Sequence, residues 1–126
     1  MSRGLLDTSV VISWGRGEDP DLPEEASVSV VTLCGLHHGA MTAADSQRAG
    51  RVALPATVER TFEALPVDSR VAPHYGRLMS VARRMQGARP GMADALIAAT
   101  AISHGLPLYT RDRDFERLDV PGLVLI

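Results

Sequence analysis

Short apolar runs alternate with longer stretches of helical periodicity from one end of this chain to the other, and this alternation limits the fold more than any other feature. Gly4–Asp7 reads as a first strand, short, apolar and ending on a carboxylate, and Thr8 or Ser9 then caps a short helix to about Trp14. Gly15–Glu25 holds Gly, Pro and acidic residues without periodicity and reads as a loop. Ala26–Val30 alternates Val with small residues as a strand does, and Thr32 starts a helix to about Met41. A longer helical stretch runs from Thr42 or Asp45 to Ala64, where Pro55 is expected to kink it or divide it in two. Leu65–Val67 reads as a short strand, and a helix capped by Asp68 or Ser69 extends through Gln86, with Val71, Tyr75, Leu78, Ala82 and Met85 at helical spacing. After the loop Gly87–Gly91, the Ala-rich stretch Met92–His104 is a helix stopped by Gly105. Leu106–Thr110 is a strand, Arg113–Leu118 a helical turn and Leu123–Ile126 a last strand. Strands alternating with helices predict a three-layer α/β/α fold around a mainly parallel sheet of four or five strands.

The length of 126 residues suits a single domain over positions 1–126. Apolar residues make up 45% of the chain but aromatic ones only 4%, so the core must be built from Ala, Val, Leu and Ile. Met1–Val11 carries Asp7 inside its apolar run and makes a poor signal peptide. No apolar run approaches the roughly 20 residues that cross a bilayer, so no membrane association is expected. The lone Cys34 cannot form an internal disulfide, which fits a reducing cytoplasm, and it reads as a small buried hydrophobe. Net charge is −2, and all 13 basic residues are Arg. GC-rich codon usage accounts for that bias; Arg also suits bidentate phosphate contact.

Ligands of open α/β sheets bind beyond the carboxyl ends of the strands. Asp7 ends the first strand, Asp112 and Asp114 follow the Leu106–Thr110 strand, and Asp94 sits in the first turn of the helix after the Gly87–Gly91 loop. Four carboxylates from remote stretches thus fall at one edge. Such a cluster repels itself unless a cation occupies it. Oxygen ligands without Cys or His suit Mg²⁺ or Mn²⁺, and the chemistry such an ion favours is phosphodiester hydrolysis. Each Asp also has a plain structural reading: Asp7 as a helix cap, Asp94 as a complement to the helix dipole, Asp112 and Asp114 as part of a solvated turn. Asp7, Asp94 and Asp112 are the expected catalytic residues, and the same three with Asp114 the expected metal ligands. Thr8, Thr110, Arg89 and Arg111 are expected to position the substrate. The alternative reading of Thr110 is that it only ends its strand, and that of Arg83, Arg84 and Arg89 that they only complement a helix end. His37 and His38 point about 100° apart on a helix and cannot readily share an ion.

Leu5-Leu6-Asp7-Thr8-Ser9 resembles the opening of PIN domains, Ala93-Asp94-Ala95-Leu96-Ile97-Ala98 resembles their third acidic motif, and Leu108-Tyr109-Thr110-Arg111-Asp112-Arg113-Asp114-Phe115 resembles their last. The order and spacing span almost the whole chain, and Ser29-Val30-Val31-Thr32-Leu33 is similar to the VapC branch. The resemblance implies a Mg²⁺- or Mn²⁺-dependent endoribonuclease acting on RNA, a homodimer, and a VapB-type antitoxin whose C-terminal segment covers the site. One position departs from the pattern. The family carries Glu in a Thr-Leu-x-Glu-Leu-x-x-Gly context, and Thr32-Leu33-Cys34-Gly35-Leu36-His37-His38-Gly39 has Gly35 there. Gly inside a helix costs about 1 kcal/mol against Ala, so helix stability offers no reason for it. Gly35 marks either a weakening mutation or a naturally impaired member. The competing class is a catalytically dead PIN-like module that binds RNA or protein. A receiver domain, which also gathers Asp at strand ends, expects a late Lys, and this chain has none.

Overall fold

The computed structural model describes residues 1–18, 21–87 and 90–126. In chain order the elements are β1 (Arg3–Leu6), α1 (Thr8–Gly15), β2 (Glu25–Ser29), α2 (Val30–Thr42), α3 (Asp45–Thr61), β3 (Glu63–Leu65), α4 (Ala72–Arg83), α5 (Met92–Ser103), β4 (Leu108–Thr110), a 3-10 helix (Arg113–Leu118) and β5 (Val124–Leu125). The five strands form one sheet of order β3-β2-β1-β4-β5, with every pairing parallel.

Strand alternation sorts the core into two layers. Leu5 and Leu6 point to opposite faces, as successive strand residues must. Leu5 pairs in register with Leu108, and both pack with Ile97, Ala98, Leu78 and Phe115 from α5, α4 and the 3-10 helix. Leu6 pairs with Val28, and both pack with Val10, Val11, Leu33, Leu36 and Val58 from α1, α2 and α3. Helices therefore cover both faces of a sheet whose central strand is buried on each side, the expected three-layer arrangement. Each fully buried Leu or Val contributes about 1.5–3 kcal/mol.

Tertiary packing overrides local preference in two places. The run Val10-Val11-Ile12 is β-branched and poor helix material, yet α1 forms because Val10 and Val11 are wholly buried. Of the two outcomes expected at Pro55, a kink or a division, the division does not occur: α3 is one helix with Pro55 inside it. Pro55 is buried beside Leu54 and Val58, and Leu54 lies against the bare Cα of Gly15, so packing holds the turn that lacks one amide bond.

Several boundaries also differ from expectation. The third strand is Glu63–Leu65 rather than Leu65–Val67, because Ser27, Val28 and Ser29 of β2 pair with Glu63, Ala64 and Leu65. The fourth begins at Leu108, after Pro107. Neither Asp68 nor Ser69 caps α4, since Asp68 closes a turn on the Arg70 amide and holds its guanidinium instead. Gly4 lies under the ring of Tyr109, where a Cβ would stand 2.4 Å from a ring carbon. Gly105 takes φ +65° just beyond α5, as the sequence pattern requires. Among the described residues no helix is long and apolar enough to cross a membrane.

Candidate active site at the carboxyl ends of β1 and β4

The connections reverse direction at β1, so the ends of β1 and β4 open on the crevice where such sheets bind ligands. Asp7 follows β1 directly, and its amide donates to the Tyr109 carbonyl at 2.8 Å, fastening it to β4. Asp7 holds the N-cap position of α1 but its side chain makes no capping bond, which removes the structural reading of that residue. The residue as a whole is 3% exposed. Oδ2 accepts from the hydroxyls of Thr110 (2.8 Å) and Ser9 (2.9 Å). Oδ1 is buried and has no partner, alone in this among the side-chain polar atoms of the described residues. An unpaired buried carboxylate oxygen is costly and calls for a ligand.

Asp94 stands half-buried in the first turn of α5. Burial, and after it the charges of Asp7, Asp112 and Asp114 in that order, hold its carboxyl above the ordinary range. Asp94 also lies in the first turn of α5, where a carboxylate complements the helix dipole, but burial and the neighbouring carboxylates outweigh that. The four aspartates thus meet electrostatically at one rim. Asp112 uses Oδ1 to accept the amide of Asp114 at the start of the 3-10 helix, while its own amide donates to the Thr110 hydroxyl at 3.0 Å. Asp114 is exposed. Among the described residues no three acidic, His or Cys side chains already form a ready-made metal cage.

The remaining expected residues divide. Thr8 Oγ1 lies 3.0 Å from Thr32 Oγ1, joining the start of α1 to α2. Gly35 sits one turn beyond Thr32 on α2, exposed, and a Cβ there would meet nothing within 4 Å. Arg111 approaches the rim through its backbone, whose amide donates to Ser9 Oγ at 3.2 Å, while its guanidinium donates to Ser13 and to Glu18 Oε2. Arg89 lies outside the described residues. Arg83 and Arg84 end α4, exposed, and His37 and His38 are exposed on α2. Cys34 is exposed rather than buried, because Thr32, Leu33 and Leu36 take the inward side of α2. Trp14 is partly buried against the core, its ring edge-on to Phe62 with centroids 4.9 Å apart.

Sequence reasoning did not single out Ser9, Ser13, Glu18 or Thr32 as parts of this site. Ser9 and Thr32 stand inside segments that resemble the family, which was the available signal for both; Ser13 and Glu18 join the site through contacts with Arg111 that local pattern does not carry.

Comparison with known proteins agrees with this fold. The PIN domain family model matches residues 4–121. Ribonuclease VapC5 of Mycobacterium tuberculosis is 39% identical over 120 residues, covering 92% of this chain and 87% of its own. Ribonuclease VapC4 of the same organism is 36% identical over 119 residues, covering 92% of this chain and 91% of its own. The crystal structure of VapBC-5 from M. tuberculosis, a member of the VapBC family of toxin–antitoxin systems, superposes with a TM-score of 0.81 and 36% identity, covering 100% of this chain and 98% of that one. An all-parallel five-stranded sheet, aspartates gathered where its central strands end and a family match along nearly the whole chain lead to one conclusion: the protein belongs to the PIN-domain family, in its VapC-type branch.

Proposed function

We propose that the protein is a VapC-type toxin: one PIN domain over residues 1–126 that hydrolyses RNA phosphodiesters with Mg²⁺ or Mn²⁺. It works in the cytoplasm as a homodimer and is restrained by a VapB-type antitoxin. The observation that carries the reading is the orphaned Oδ1 of Asp7, buried at the end of β1 in a rim shared with three other aspartates. Names and contents of the relatives, ribonucleases and a toxin–antitoxin complex, support the class of activity and of partner.

The donor set fits a small hard cation. Mg²⁺ takes oxygen ligands, commonly one or two carboxylates, and keeps several waters, so it needs no closed protein cage. Asp7 and Asp94 are the direct ligands in this reading, with Asp112 and Asp114 adding charge or contacts through water. Once bound, such an ion lowers the pKa of a water and offsets charge on the scissile phosphate. Thr110 and Ser9 hold Oδ2 of Asp7 and so fix the direction of its free oxygen. Thr8, tied to Thr32, and Arg111 and Arg89 complete the surface that positions the RNA.

Gly35 leaves α2 without the carboxylate that the family places there, so the site binds its ion weakly and turns over slowly. The space around Gly35 is open, and Gly35→Glu adds a carboxylate without a clash at its Cβ. The variant is expected to cleave RNA faster than the parent in Mg²⁺, and equal rates would sink this assignment. A second reading, a non-catalytic PIN-like module that binds RNA or protein, is favoured by Gly35 together with the lack of a preformed cage among the described residues. Cleavage of RNA by the parent chain in Mn²⁺, abolished by Asp7→Asn, decides for the nuclease.

A further inference from the structure

We propose that the guanidinium of Arg111 is the seat for a backbone phosphate of the RNA, and that Glu18 occupies this seat until the RNA displaces it. The inference rests on the nuclease reading above and adds to it a binding subsite and an internal competitor. Arg111 follows Thr110 directly, and its amide bonds Ser9, whose hydroxyl bonds Asp7. This ties the Arg111 backbone to the orphaned carboxylate through two hydrogen bonds and starts its side chain at the rim. The side chain runs along α1 to Ser13, one turn beyond Ser9, and ends on Glu18 Oε2 at 2.7 Å. By contrast the Arg3–Glu25 pair lies at the opposite, amino ends of β1 and β2.

Glu18 is delivered by a chain reversal after α1. Gly17 adopts φ +80°, and the Glu18 amide donates back to the Ser13 carbonyl at 3.1 Å. The bond to Arg111, and then that to Ser13, keep the Glu18 carboxyl below its usual range, so it is ionised when it meets the guanidinium. A carboxylate and a phosphate offer a guanidinium the same bidentate oxygens. Arg111 and Glu18 are 48% and 47% exposed, so an incoming anion can reach both, and exposed pairs of this kind hold weakly. A rim with four aspartates repels a polyanion, and a cation beside it lowers that barrier only when its own partner yields. Glu18 acts through Arg111 and is a positioning residue.

The test measures binding of a fluorescein-labelled, 2′-O-methyl single-stranded RNA to the full chain in EDTA, where no cleavage occurs, for the parent, Glu18→Gln, Glu18→Asp and Glu59→Gln. Glu59 is an exposed carboxylate of α3 and reports the effect of removing one charge anywhere. Glu18→Gln is expected to lower Kd about 2- to 5-fold, the range that an exposed ion pair spans. Glu18→Asp keeps the carboxylate and binds like the parent, and Glu59→Gln changes Kd less than Glu18→Gln. In an Arg111→Gln background the Glu18→Gln gain disappears, and in Mg²⁺-dependent cleavage the gain falls on KM rather than kcat. A gain matched by Glu59→Gln, a gain that survives Arg111→Gln, or weaker binding with a lowered Tm would overturn the proposal and leave Glu18 as a structural clamp. RNA bound and cut without any effect of Glu18 refutes this proposal alone. No binding or cutting of RNA by any form, Gly35→Glu included, refutes the nuclease reading and this inference with it.

Discussion

Replacing Thr110 with Val removes one hydroxyl at the centre of the rim and little else. Val keeps the size and the β-branching that suit β4, and position 110 is wholly buried, so solvent cannot replace what is lost. Two bonds go. The first is the 2.8 Å donation to Asp7 Oδ2, a bond to a charged acceptor worth about 1.5–3 kcal/mol. The second is the 3.0 Å acceptance of the Asp112 amide, worth about 0.5–1.5 kcal/mol. Asp7 would retain only Ser9, with Oδ1 already unpartnered. The expected loss is about 2–4.5 kcal/mol, a large share of a typical domain's stability. For a chain of this length that lowers Tm by roughly 10 °C.

The assay is thermal and urea unfolding at pH 7 in EDTA, with Thr100→Val as the control. Thr100 is equally buried, but its hydroxyl only donates to the Leu96 carbonyl within α5, so its loss is expected to stay near 1 kcal/mol. In an Asp7→Asn background the charged acceptor is gone and the cost of Thr110→Val shrinks by more than 1 kcal/mol, a coupling that a double-mutant cycle isolates. A Thr110→Val chain as stable as Thr100→Val, or a cost unchanged by Asp7→Asn, would refute the view that Thr110 supports the Asp7 carboxylate.

Asp94 offers a prediction with a definite sign. Its folded pKa is raised, by burial first and by Asp7, Asp112 and Asp114 after it, so its contribution is most favourable below 3.8 and is lost as pH rises through the folded value. Asp94→Asn is therefore expected to raise Tm at pH 7 in EDTA, with the gain shrinking as pH falls toward 3.8; a variant less stable than the parent at pH 7 contradicts the crowding. Adding Mg²⁺ should raise the Tm of the parent more than that of Asp94→Asn, and equal shifts would remove Asp94 from the ion's ligands. Gly35→Ala places a methyl group in open space on a helix and should stabilise the metal-free protein by about 1 kcal/mol in urea titration, with no change in RNA cleavage; a loss of stability would mean that α2 needs glycine there.

What could be read from the sequence follows what local pattern can carry. Each strand is an apolar run of fixed side-chain alternation, so Leu5 and Leu6 alone divide the core between the two faces. The aspartates could be placed because they lie at ends of elements, and parallel pairing of β1 with β4 brings those ends together. Pro55 was misleading because its cost is local, whereas the packing of Leu54 and Val58 that offsets it comes from elements distant in sequence. Cys34 was misleading because a helix with Leu33 and Leu36 inward turns the position between them outward. Glu18 meets Arg111 across 93 residues and Thr8 meets Thr32 across 24, and no periodicity in the chain encodes either contact.

The rim is better explained by function than by stability. A chain selected only to fold would not bury one oxygen of Asp7 without a donor or crowd a half-buried Asp94 with the charges of Asp7, Asp112 and Asp114, since a change of Asp94 to Asn would relieve that repulsion. Nor would it spend the hydroxyls of Thr110 and Ser9 on holding that carboxylate in place. The surrounding bonds fix Oδ2 and leave Oδ1 open, the asymmetry on which the proposed role of Asp7 as a ligand rests. Gly35 stands apart from the core on α2, and a side chain added there meets no atom within 4 Å of its Cβ, so the position is open to a carboxylate.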